Sequence, residues 1–90
     1  MARREKVKRV IDGDTFVTES RKNPVRLANV DAPEKGEPGA ATAKRRLEGL
    51  IKDKTVSIET VARDSYGRSV ATVKVKGISV NRAMRPKRRK

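Results

Sequence analysis

The chain has 90 residues, no cysteine, no histidine, one Tyr, one Phe, and a formal net charge of +13 from 24 Lys and Arg against 11 Asp and Glu. That composition excludes disulfides, thiolate chemistry, imidazole general bases and the usual zinc ligands, and no apolar run approaches membrane-spanning length. With 34% hydrophobic residues and a mean hydropathy of -0.78, the expectation is one small domain over 1–90 with a modest core built largely of valine.

The charge is unevenly placed. Residues 1–9 carry +4 and residues 82–90 carry +6, so the ends hold +10 of the +13. Basic ends of this kind contact phosphate backbones without reading sequence. The expected partner is therefore a nucleic acid, with the ends 1–9 and 85–90 as flexible arms around a core of about 6–84. The opening MARREKVKRV has a charged head with no hydrophobic region behind it, so it does not read as a signal peptide. As it stands the chain is expected to be cytoplasmic; a secreted form would need a signal removed before Met1.

In chain order, KVKRVI (6–11) and TFVTES (15–20) flank an Asp-Gly turn as a hairpin. VRLANV (25–30) alternates as a third strand, and DAPEKGEPG (31–39) is a loop with two Pro and two Gly. From Ala40 the period changes: Ala40, Ala43, Leu47, Leu50 and Ile51 share one helical face, predicting a helix of about 12 residues after Pro38. TVSIETV (55–61) and SVATVKV (69–75) are two more strands around the RDSYGR turn, and SVNRAM (79–84) fits one further helical turn. Five short strands with one inserted helix predict a small closed barrel, mainly β.

VIDGDTF sets two acids, Asp12 and Asp14, around one glycine, although the chain is heavily basic. Asp12 suits the turn. Asp14 enters a strand, where Asp is disfavoured. The segment is no EF-hand, because Phe16 and Val17 fall where that loop needs a ligand and a glycine. DAPE adds Asp31 and Glu34, stiffened by Pro33. Three carboxylates at strand ends can hold a hard cation such as Ca²⁺ through oxygen; taken singly, each also serves as a turn residue, a strand terminator or a solvated loop residue. Arg26 interrupts an apolar strand and Arg68 follows the DSYG turn, and a guanidinium forks two donors onto a phosphate. Arg26 and Asp31, five apart, share a site only if the strand ends, bulges or curls between them, with Asn29 a natural place.

VIDGDTFV, VRLANVDAPE and RDSYGRSVATV resemble the three signature segments of the staphylococcal nuclease (thermonuclease) family, in the family's order and with its helix between the second and third. GISVNRAM resembles the start of the next family helix, so the resemblance spans roughly residues 6–84. It implies a five-stranded OB-fold barrel and Ca²⁺-dependent hydrolysis of DNA and RNA to 3′-phosphate ends. By motif position it implies Asp14, Asp31 and the backbone carbonyl of Ala32 as Ca²⁺ ligands. Glu34 would orient or deprotonate the attacking water, Arg26 and Arg68 would hold the phosphate, and Tyr66 would lie beside the nucleotide. Ala32 stands where the family has threonine, and Ser65 where lysine is common. The chain ends at Lys90, where the family normally continues, and the family's C-terminal tyrosines are absent. The alternative is a non-catalytic OB module that binds nucleic acid or protein; single-strand binders rely on aromatic platforms, and only Phe16 and Tyr66 are present.

Overall fold

The computed structural model describes residues 2–33 and 36–84. Its elements run β1 (Arg3–Asp12), β2 (Thr15–Thr18), β3 (Val25–Leu27), α1 (Ala40–Ile51), β4 (Thr55–Arg63), β5 (Ser69–Val75), β6 (Ile78–Ser79) and α2 (Val80–Met84). The sheet order is β3-β2-β1-β4-β5-β6, and a parallel pairing of β3 with β5 joins Val25 to Ser69 and Leu27 to Ala71. That pairing closes β1 to β5 into a five-stranded barrel of the OB type. Closure satisfies the backbone of short strands that would otherwise expose sheet edges.

The core follows from the sequence pattern. Val7 and Val10 both point inward although they are three apart, because the β1–β2 register shifts between Val7 and Arg9. A bulge adds one residue and restores the inward face. Ala71, Val73 and Val75 of β5 and Val56 and Ile58 of β4 complete the barrel interior around Phe16 and Leu27. Helix α1 inserts Leu47 and Ile51 into the same core. Gly39 caps its start at φ 86, and Asp53, at φ 61, turns the chain just beyond its end.

Three differences from the sequence reading have local causes. Residues 3–9, expected as part of a flexible arm, form the first part of β1, where Arg3 to Lys6 pair with Ile58 to Thr55. The third strand stops at Leu27 instead of Val30, and Asn29 takes a left-handed backbone at φ 61. Ile78–Ser79 forms a short strand because the tight turn at Lys76 and Gly77 folds it back on β5. The C-terminal arm 85–90 lies outside the described residues.

Asn81 ties the second helix to the barrel. Its Oδ1 accepts from Val73 N at 2.7 Å, and its Nδ2 donates to Ala28 O at 2.9 Å and Ala71 O at 3.0 Å. The amide thus serves β5 just past the last residue that pairs with β3. A buried Asn with both ends bonded acts here as one more rung of the sheet.

Candidate active site

Barrel closure decides where the chemistry-bearing residues meet. Arg26 pairs with Thr15 on one side and with Val70 on the other, so β3 lies between the β1–β2 turn and the foot of the β4–β5 hairpin. Leu27 N donates to Asp14 O at 2.8 Å, fixing that turn against β3. The loop after β3 then folds over the turn. The result is a cavity of about 570 Å³ lined by Asp12, Asp14, Arg26, Ala32, Pro33, Tyr66 and Arg68.

Gly13 explains how closely these pieces pack. A Cβ there would lie 2.6 Å from the Ala43 methyl of α1 and 2.8 Å from the Ala32 methyl. Gly13 does not use a left-handed backbone, so the glycine is required for close approach more than for turn geometry.

The polar groups are held in place. Asp14 Oδ1 accepts from Thr15 Oγ1 at 2.8 Å, while its Oδ2 faces Arg26 Nη2 and Ala32 N, both at 3.5 Å. Arg26 is aimed by the carbonyls of Val30, at 3.0 Å, and Leu27, at 3.3 Å. The strand end at Leu27 and the turn at Asn29 bring those carbonyls back toward Arg26, which resolves how Arg26 and the DAPE loop reach one place. On the opposite wall, Arg68 Nε donates to Asp64 Oδ2 at 2.6 Å and its Cζ sits 5.4 Å from the Tyr66 ring centroid. Burial works against the Asp64 charge, but the Arg68 N–H and guanidinium and the Tyr66 N–H outweigh it and hold the carboxyl below the usual range. Tyr66 is 83% exposed, so its ring lies at the surface and is not part of the core.

Asp12 does more than make the turn. Its Oδ1 faces Asp14 N at 3.4 Å, which draws its carboxyl alongside that of Asp14. Burial, and then the adjacent Asp14 carboxylate, push the Asp12 carboxyl above the usual aspartate range. The spacing of two, with a side chain reaching the N–H two residues on, was the available signal for this placement. Of the residues expected from the sequence, Asp14, Arg26, Ala32, Tyr66 and Arg68 come together. Asp31 is exposed beside the cavity and does not line it. Glu34 lies outside the described residues, and among those described no three carboxylates converge.

Chemically, two carboxylates crowd one another in a cavity whose donor set is all oxygen. Such a set fits a hard divalent cation, which relieves the repulsion. The neighbouring guanidiniums fit a phosphate. A closed OB-type barrel thus carries carboxylates and arginines together at one end.

The family described as "Staphylococcal nuclease homologue" matches residues 24–86. The chain is 40% identical over 82 residues to an uncharacterised endonuclease of Escherichia coli O157:H7, covering 88% of this chain and 54% of that protein. It is 36% identical to protein ParB of Escherichia coli over 86 residues, covering 93% and 49%, and 39% identical to a micrococcal nuclease of Shigella flexneri over 72 residues, covering 78% and 41%. The chain belongs to the staphylococcal nuclease homologue family. It spans about half the length of these relatives.

Proposed function

We infer that the chain hydrolyses phosphodiester bonds of DNA or RNA in a Ca²⁺-dependent reaction. The observation that carries this is the convergence of Arg26 and Arg68 with Asp12 and Asp14 on one cavity. The family match and relatives named endonuclease and micrococcal nuclease support the reaction class.

Asp14, Asp31 and the Ala32 carbonyl are the proposed metal ligands, with Asp12 beside them. When bound, the cation would supply Lewis-acid stabilisation to the phosphate oxygens. The protein's own groups do the rest. Arg26, already aimed by two carbonyls, and Arg68, held by Asp64, bring donors to the non-bridging oxygens, where charge grows as water adds to phosphorus. Their positions are fixed before substrate arrives, so little reorganisation opposes the reaction. The water's proton passes to Glu34, the bond to the 5′ oxygen breaks, and that oxygen leaves with a proton from solvent. The phosphate stays on the 3′ side. Tyr66 offers an exposed ring to the adjoining nucleotide.

Glu34→Gln tests this reading. The variant should bind single-stranded DNA as the wild type does and lose about 10²- to 10⁴-fold in rate, the usual contribution of a general base. A variant that cleaves at the wild-type rate removes Glu34 from the reaction.

A further inference from the structure

A second cavity, of about 390 Å³, lies where β1 begins, β2 has ended and β4 outruns its partner. Arg3, Glu5, Ser20, Arg21, Ile58, Thr60 and Arg63 line it. Among the described residues the β1–β4 ladder stops at the Arg3–Ile58 pair, and Thr60 and Arg63 extend past it on a strand paired there with β5 alone. This leaves an open, basic flank whose lining side chains carry a net charge of +2.

The one carboxylate in it is already committed. Glu5 is buried, and its Oε1 accepts from Thr18 Oγ1 at 2.8 Å and Ser20 Oγ at 3.1 Å. Both Glu5 oxygens accept from Arg21 Nε at 2.9 Å, and Arg21 Nη1 donates to Ser69 Oγ at 3.0 Å. Arg21 is thus fixed by a buried acid while donors on both Nη groups remain for a ligand. Among the described residues, Arg3 and Arg63 pair with no carboxylate. With Arg21 offset by Glu5, Arg3 and Arg63 leave the cavity an excess positive charge that a bound anion would offset. A structural Glu5–Arg21 clamp would need neither of the other two.

The β4–β5 hairpin borders both cavities. Arg63 faces this one, and Ser69, its partner across the hairpin, holds Arg21 and directly follows Arg68. We propose that this second cavity binds a backbone phosphate of the same nucleic-acid strand whose scissile phosphate lies between Arg26 and Arg68. The assignment rests on the nuclease reading above and adds to it a subsite that rewards longer strands.

The test is fluorescence anisotropy in EDTA with single-stranded oligonucleotides from a dinucleotide to about a dodecamer, within the usual range of OB-fold site sizes. The wild type should gain affinity with length. The Arg3→Gln/Arg63→Gln variant, altered only at exposed positions, should bind the dinucleotide normally and the long oligonucleotide about tenfold more weakly. Its salt slope on the long strand should be shallower by about 0.7 per lost phosphate contact. A charge-matched control, Lys52→Gln/Lys74→Gln, lines neither cavity and should lose much less. Equal losses in both variants, or a wild-type length profile in Arg3→Gln/Arg63→Gln, overturn the subsite, while wild-type cleavage would leave the nuclease reading standing. A wild type that binds no oligonucleotide in EDTA overturns the subsite, and only a failure to cleave in Ca²⁺ overturns the nuclease reading. Inorganic phosphate that shifts the Arg63 resonance of the wild type, with no dependence of affinity on strand length, would assign the cavity to a free anion and overturn the strand assignment.

Discussion

The methyl groups of Ala43 and Ala32 leave no room for a side chain at Gly13. One neighbour belongs to the helix and the other to the proposed metal loop, so this residue sets the distance between them. Gly13→Ala should destabilise the fold by about 1–3 kcal/mol, the usual cost of overpacking, and should lower cleavage more than thermal unfolding alone explains. Denaturant unfolding beside single-turnover rates checks both. At the arginines, Arg26→Lys and Arg68→Lys should each reduce the single-turnover rate far more than DNA affinity, because lysine keeps the charge but lacks the fork. Wild-type rates in both would remove the phosphate-clamp role. The sequence alone shows why Asp14 and Arg26 stand out, since Asp14 enters a strand where Asp is disfavoured and Arg26 interrupts an apolar one. It shows Asp12 only as a turn residue, because its approach to Asp14 depends on a bond from Asp14 N that spacing permits without requiring.

At the scale of elements, Asn81 and Glu5 are polar side chains used as structure. Asn81→Ala would leave Val73 N without its partner and weaken the hold of α2 on the barrel. A loss of about 3 kcal/mol is expected in urea unfolding, since unsatisfied buried groups cost about 1–3 kcal/mol each. Burial acts to raise the Glu5 carboxyl, but hydrogen bonds from Thr18, Arg21 and Ser20 outweigh it and hold the group below the usual glutamate range. A folded-state value below the unfolded one means that the stabilisation is present above the ordinary glutamate value. It is lost as pH falls through the depressed one. Glu5→Gln should therefore be less stable at neutral pH and show a flatter stability profile as pH falls through and below the ordinary glutamate range. An unchanged profile would remove Glu5 from the acid response. The five barrel strands and α1 were legible because alternation and the 3.6-residue period are local signals. The β3–β5 closure joins residues more than forty positions apart, and the bulge near Arg9 depends on a partner strand, so their particulars were not legible.

For the whole molecule, a net charge of +13 should make the proposed nucleic-acid affinity salt-dependent wherever the strand lies. The C-terminal segment 85–90 carries five of the basic residues. Removing it should flatten the salt slope on duplex DNA and leave turnover at saturating substrate unchanged, because the residues of the proposed site lie between 12 and 68. Equal slopes before and after truncation would make the segment a solvated end. The cavity of Asp14, Arg26 and Arg68 is proposed to break phosphodiester bonds with Ca²⁺. The most direct test is cleavage of plasmid and single-stranded DNA by the 90-residue chain in Ca²⁺ and in EDTA, with Asp14→Asn alongside. The prediction is cleavage to 3′-phosphate ends in Ca²⁺, none in EDTA, and little from Asp14→Asn in either. DNA that is bound but uncut in Ca²⁺, or cut equally well in EDTA, would contradict it.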